Sequence, residues 1–215
     1  MKSYVITIMD IPQSVKAAQN CIDSANSYGI EVKNWKAITP ADNPIEILKS
    51  KDIPISGFQE VYSRLDRCVA AFLSHHSLWE YSVEHNEEIL IFEHDAVVHS
   101  PINEFQPYNK LLSYGHPSYG KFNIPMKIGV NPLVSKNYLP GAHAYKIKPK
   151  GAEALIKQAK ISAKPTDVFI NNSWFPWIEE FYPWPVEAQD SFSTIQLTPG
   201  CLAKHQYKDG QYELI

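Results

Sequence analysis

Ile89-Leu90-Ile91-Phe92-Glu93-His94-Asp95-Ala96 decides the reading of this chain. Four apolar residues in a row predict a strand buried on both faces, as in the interior of an α/β sheet. Two carboxylates separated by one residue, Glu93 and Asp95, stand at its carboxyl end, where open α/β sheets bind their ligands. Burying both of them unpaired would be costly. Oxygen ligands at such a place suit a hard divalent cation, Mn²⁺ or Mg²⁺, and such a cation suits a diphosphate. The alternative is a solvated turn after a core strand, with Asp95 capping the next element.

Outward from this strand, the preceding segment carries the clearest helical pattern of the chain. From Leu65 to Glu84, the residues Val69, Phe72, Leu73, His76, Trp79 and Val83 recur at three- and four-residue steps, which is the apolar stripe of a helix facing a core. At the amino end, residues 4–9 form an apolar strand. Pro12 opens a helix carrying Val15, Ala18, Cys21 or Ile22, and Ala25, and Gly29 ends it. Residues 30–38 alternate as a second strand, stopped by Thr39-Pro40. That β-α-β opening predicts a parallel pair. Residues 40–63 read as irregular apart from a short helix near 45–49, and 99–141 as a loop-rich stretch holding short strands. Ala142 to Ile147 reads as a strand and Gly151 to Lys160 as a lysine-edged helix, and Pro165-Thr166-Asp167 starts another helical turn. Without a repeat or a linker, residues 1–215 read as one domain.

The 215 residues are 44% hydrophobic and 20% charged, the composition of an ordinary globular protein. No apolar run approaches the length of a membrane span, and the first ten residues are too short and too soon acidic for a secretory signal. Cys21, Cys68 and Cys201 lie far apart without metal-ligand spacing. They read as buried thiols of a cytoplasmic protein, in the host cytoplasm if the protein is viral. The net charge of −3 conceals an asymmetry. Residues 110–164 carry ten lysines and a single acid, Glu153, a net +9, and the remainder carries −12. Interleaved with Tyr114, Tyr119, Phe122, Tyr138 and Tyr145, the basic segment suits either a polyanion or a solvated lysine face.

Cys68-Val69-Ala70-Ala71-Phe72-Leu73-Ser74-His75-His76-Ser77-Leu78-Trp79, followed by the strand ending Glu93-His94-Asp95, resembles glycosyltransferase family 25, the lipopolysaccharide-biosynthesis type. Ala144-Tyr145-Lys146-Ile147-Lys148-Pro149-Lys150-Gly151-Ala152, Pro165-Thr166-Asp167, the first strand and Trp35-Lys36-Ala37-Ile38 resemble further family segments in order. Two features depart from the family. His94 stands where the family's Glu-Asp-Asp has its middle residue. The arginine-rich segment after the first strand is replaced by Lys16 alone, which leaves Arg64 or Arg67 to meet a diphosphate.

The resemblance implies a GT-A-like, Rossmann-type mixed and mostly parallel sheet flanked by helices. Residues 1–98 would be the nucleotide-sugar-binding half and 99–215 the acceptor-facing half. It also implies a nucleotide-diphosphate sugar as donor, with Thr7, Ala37, Arg64, Ser74, His75 and Glu93 around it, and a Mn²⁺ or Mg²⁺ ion held by Asp95 and Glu93. His205 is the candidate late histidine ligand, the other reading being a surface histidine in a polar tail. Asp167 is the candidate general base of an inverting transfer, or else a helix cap. Asp190 and Glu187 stand in reserve. His75 reads as functional, and His76, Phe72 and Trp79 as core. The acceptor is a surface saccharide or, given the basic segment, DNA carrying a hydroxylated base, as in some phages. A non-catalytic nucleotide-sugar or polyanion-binding module is the alternative on the same fold.

Overall fold

The computed structural model describes residues 1–59, 63–118, 120–139, 142–189, 192–196 and 213–215. The candidates Asp190 and His205, together with Tyr119 and Cys201, lie outside the described residues. In chain order the elements are β1 (Lys2–Thr7), α1 (Pro12–Asn26), β2 (Lys33–Lys36), α2 (Pro44–Ser50), α3 (Leu65–His85), β3 (Ile89–Glu93), β4 (Ala96–Val98), β5 (Leu111–Ser113) and β6 (Gly129–Pro132). They continue with β7 (Ala144–Ile147), α4 (Pro149–Ile161), α5 (Thr166–Phe169), β8 (Ile178–Tyr182), β9 (Val186–Ala188), β10 (Phe192–Ser193) and β11 (Glu213–Leu214).

Seven strands form one sheet in the order β2-β1-β3-β7-β5-β8-β6. β1 runs parallel to β2 and β3, and β5 parallel to β8, while β3–β7, β7–β5 and β8–β6 are antiparallel. This is a mixed sheet flanked by helices, the architecture the sequence predicts. β4 and β9 form a separate antiparallel pair, and β10 and β11 a parallel one.

The quoted strand is buried as read: Ile89, Leu90, Ile91 and Phe92 have no exposed surface. Because side chains alternate across a sheet, Ile89 and Ile91 join a core with Phe72, Leu73 and Trp79 of α3 and Leu155 of α4. Leu90 and Phe92 join a second core with Ala18, Cys21 and Ala25 of α1 on the opposite face. α1 and α3 therefore lie on opposite sides of the sheet. β1 stands between its two parallel neighbours, one reached through α1 and the other through α3. That arrangement opens a crevice beyond the carboxyl ends of β1, β2 and β3.

The buried face of α1 is Ser14, Ala18, Cys21 and Ala25. Val15, which the sequence places inward, is 41% exposed. The correct stripe has the same helical spacing but begins on a polar residue, because Ser14 has polar partners at the sheet end. On α3 the whole stripe is buried except Val83 in its last turn, and His76, Phe72 and Trp79 are core residues as read.

α3 is tied to α2 by Glu80, which meets Lys51 at 2.6 Å and His76 at 3.5 Å. Partial burial works against ionisation of Glu80, but hydrogen bonds to His76 and Lys51 outweigh it and hold its pKa down to about 2. A depressed carboxylate stabilises the fold above its ordinary value of 4.5 and loses that contribution as pH falls toward 2. Glu80→Gln should therefore flatten the loss of stability over that acid range in pH-dependent denaturation. At neutral pH it should cost no more than about 1 kcal/mol, since the pair is partly solvated.

Candidate functional site

A cavity of about 370 Å³ occupies the crevice. Its floor is the end of β1 with Ile6 and Ile8, and the start of α1 contributes Asp10 and Ile11. The chain leaving β2 supplies Ala37, Ile38 and Thr39, and α3 supplies Arg67, Ala70, Ala71, Ser74 and His75. Glu93, His94 and Asp95 enter from the end of β3, and Phe192 to Gln196 cover the remaining side. Part of the lining is apolar, and the rest gathers carboxylates, imidazoles and a guanidinium.

Glu93 is held by a relay of hydrogen bonds that starts in the core. The Trp79 indole N–H donates to the Tyr145 hydroxyl at 2.8 Å, and that hydroxyl lies 2.9 Å from His75 Nδ1. The His75 Nε2 lies 3.0 Å from Glu93 Oε1. An indole only donates, so the phenol accepts from it and passes its own proton toward Nδ1. Burial raises the Tyr145 pKa well above 10, which keeps that proton in place. With Nδ1 facing the phenol proton, His75 turns the hydrogen of Nε2 to Glu93. Burial disfavours the charged form of Glu93. The His75 hydrogen bond and the nearby imidazoles of His75, His143 and His94 outweigh that cost, and its pKa lies below the ordinary carboxylate value.

His94 is fixed by the same logic from the other side. The Ser14 hydroxyl accepts the Ile8 N–H at 2.9 Å and lies 2.9 Å from His94 Nδ1. Its own proton goes to that nitrogen, which puts the histidine hydrogen on Nε2. Burial pushes the His94 pKa down, with Glu93 partly opposing, so the ring is neutral. It stacks on Phe192 at 5.1 Å. Next to it, the backbone carbonyl of Asp95 accepts the Gln189 N–H at 2.8 Å. Burial, and then the Asp95 charge, push the Cys21 thiol below it up to about 12, so the thiol stays protonated. Ser74 anchors the rim: its hydroxyl accepts the Ile38 N–H at 2.9 Å and donates to the Ala70 carbonyl at 2.8 Å.

The segment covering the cavity is tied down by the start of α3. Arg64 N–H donates to the Ile195 carbonyl at 2.8 Å, and Arg67 Nη1 to the Thr194 carbonyl at 3.0 Å and to the Ile215 carbonyl.

Residues 2–124 match the family model described as glycosyltransferase family 25 (LPS biosynthesis protein). The chain belongs to glycosyltransferase family 25. It is thus a glycosyltransferase, and the family implies a nucleotide sugar as donor. No curated protein matches it.

Of the residues this family 25 chain was expected to set around its donor, Ala37, Ser74, His75 and Glu93 line the cavity. Thr7 lies behind the lining, fully buried, bonding Asn34 Oδ1 at 2.8 Å, and its carbonyl accepts the Ala37 N–H at 2.9 Å. Arg64 turns its guanidinium to the Ile215 carbonyl at 2.9 Å, and Arg67, one helical turn on, is the arginine in the lining. Asp167 lies in the first turn of α5, its carboxylate accepting the Val168 N–H at 2.9 Å. It is not among the lining residues.

Sequence reasoning missed Asp10, Ser14 and Phe192 to Gln196. Ser14 had a signal, the spacing of positions 14, 18, 21 and 25. The 192–196 segment had none, since only the tertiary fold returns it to the crevice. It also brings residues of the 99–215 half into the wall of the cavity.

Glu93 and Asp95 fit a hard divalent cation of the kind that takes one or two carboxylates and fills its other positions with phosphate oxygens and water. Among the described residues no group of three or more His, Cys, Asp or Glu could hold a metal ion. Tyr145→Phe should cost about 1–3 kcal/mol in chemical denaturation, because it leaves the buried Trp79 N–H without an acceptor. It should also weaken nucleotide-sugar binding measured calorimetrically, since His75 loses the partner that orients it toward Glu93.

Proposed function

We propose that this protein transfers a sugar from a nucleotide diphosphate to a saccharide hydroxyl, with inversion and with the help of Mn²⁺ or Mg²⁺. In this reading residues 1–215 act as one catalytic domain. The observation that carries it is the pair Glu93 and Asp95 at the end of a fully buried strand, opening into a cavity whose other part is apolar. The nucleoside ring lies between the β1–β2 end and Ala70-Ala71 of α3. The diphosphate lies toward the carboxylates and Arg67.

Breaking a glycosyl phosphate bond builds negative charge on the leaving diphosphate, and whatever neutralises that charge as it forms lowers the barrier. Asp95 and Glu93 would hold the cation, which supplies that neutralisation as a Lewis acid when bound. Glu93, kept ionised by His75, contributes a fixed negative charge at the strand end. Arg67 reaches the phosphates after exchanging its backbone carbonyl partners for them, a stronger, charge-assisted contact. The His94 Nε2–H is a neutral donor beside the same phosphates, in the place where the family carries an acid.

The saccharide acceptor is favoured over DNA by the use this fold makes of the basic segment. Tyr145 is part of the relay and Tyr114 is buried, so neither can stack on a base. Lys146 is buried against Glu88 at 2.7 Å, Lys148 covers the Tyr108 ring, and Lys110 and Lys164 cover Trp177 and Trp174.

Asp95→Asn should abolish transfer and remove the divalent-dependent part of the thermal shift given by nucleotide diphosphates, with the unliganded unfolding temperature unchanged. Unaltered turnover would remove the metal from the account. We propose Asp167 as the base on the acceptor hydroxyl. Asp167→Asn should then lower kcat by roughly 100-fold or more with donor affinity preserved. A loss of stability with kcat intact would reduce Asp167 to the turn-forming bond with Val168.

A further inference from the structure

Between Lys121 and Ile128 the chain reads Lys-Phe-Asn-Ile-Pro-Met-Lys-Ile, and three large apolar side chains there stand in water. Ile124 is 62% exposed, Met126 99% and Ile128 83%. A single surface apolar residue is ordinary, but three within five residues form a patch that calls for a partner.

The exposure is built into the fold. The Asn123 N–H donates to the Ser135 carbonyl at 2.9 Å, and its side-chain amide donates to the Val134 carbonyl at 3.1 Å. From the other side, the Asn131 amide donates to the carbonyls of Lys127 at 2.8 Å and Gly129 at 2.9 Å. Phe122 packs edge-on to Trp184 and His116, and Pro125 is buried beneath the loop. Gly129, at φ +100°, turns the chain into β6, the outermost strand of the sheet. The loop is thus pinned at both ends with its apolar tips outward, and Val134, 44% exposed, extends the patch.

The loop's own charges have one sign, with the buried Glu180 carboxylate behind it on the Val134 and Ser135 N–H groups. No Asp or Glu occurs between Glu104 and Glu153, a stretch with seven lysines. Lys121 and Lys127 are exposed within the loop itself. We propose that residues 121–128 dock the protein on an anionic bilayer, with Ile124, Met126 and Ile128 entering the headgroup–acyl boundary and Lys121 and Lys127 meeting lipid phosphates. Apolar tips flanked by lysines are the pattern that interfacial binding selects. Four side chains, Ile124, Met126, Ile128 and Val134, are too few for a stable protein interface, which takes roughly 20–30 residues from each partner. A nucleic-acid backbone would reward the lysines and leave the apolar tips in water. The inference is independent of the donor site and stands or falls without it.

The test is sedimentation of the full chain with vesicles of phosphatidylcholine containing about a third phosphatidylglycerol, and with pure phosphatidylcholine. The wild type should sediment with the anionic vesicles and much less with the neutral ones. The double variant Met126→Asp/Ile128→Asp should lower the partition coefficient roughly tenfold or more with an unchanged thermal unfolding curve. Lys121→Ser/Lys127→Ser should weaken binding and reduce its salt dependence, which gives a second readout if the aspartates disturb the fold. The proposal is overturned if the wild type ignores anionic vesicles, or if the aspartate variant sediments as well as the wild type. It is equally overturned if light scattering shows a dimer that the aspartates dissociate while vesicles are not bound. Binding of a labelled DNA duplex through Lys121 and Lys127 without vesicle binding would overturn it as well.

Discussion

The site depends on keeping a carboxylate charged at the end of a strand whose four apolar residues are fully buried. Burial penalises the charged form of a carboxyl group there. The relay from Trp79 through Tyr145 and His75 counters that penalty for Glu93. It also ties three elements together, since Trp79 and His75 belong to α3, Tyr145 to β7 and Glu93 to β3. An interior core residue is thus linked through Tyr145 and His75 to a carboxylate at the cavity wall, and the same bonds tie helix to sheet. The Ser14–His94 pair repeats the device on the α1 side. Each histidine has its Nδ1 occupied by a hydroxyl, so each presents its hydrogen from Nε2.

Around this constraint the cavity is assembled from separate segments. Parallel strands splay their helices to opposite faces, and the gap left at the carboxyl ends is filled by loop backbone and short side chains. Ala37, Ala70 and Ala71 put short side chains on its walls. Arg64 and Arg67 tie Phe192 to Gln196 over the open side. The arginine that faces the cavity is therefore also one of the two that fasten its cover.

The basic stretch shows how a charge pattern divides once it is folded. Lys146 is enclosed with Glu88, and Lys110, Lys148 and Lys164 lie over aromatic rings. Those lysines stabilise the sheet and its flanks. Lys121 and Lys127 have a different setting, beside apolar tips on a pinned loop. The sum of +9 describes neither group.

The sequence by itself determined what depends on local periodicity. The unbroken apolar run at 89–92 specified a strand buried on both faces, and the stripe on α3 specified a helix against it, because burial and side-chain period are read directly from neighbours in the chain. It also placed Glu93 and Asp95 at the end of that strand and singled out His75, one step off the stripe. Only the tertiary structure decided who their partners are. Trp79 and Tyr145 lie 66 residues apart, Ser14 and His94 lie 80 apart, and Phe192 returns to stack on His94 from the far end of the chain. No local spacing encodes such contacts, because they arise where strands distant in sequence become neighbours in the sheet. The choice of Arg67 over Arg64 and the inward turn of Ser14 over Val15 were settled in the same way, by what each side chain meets across the crevice.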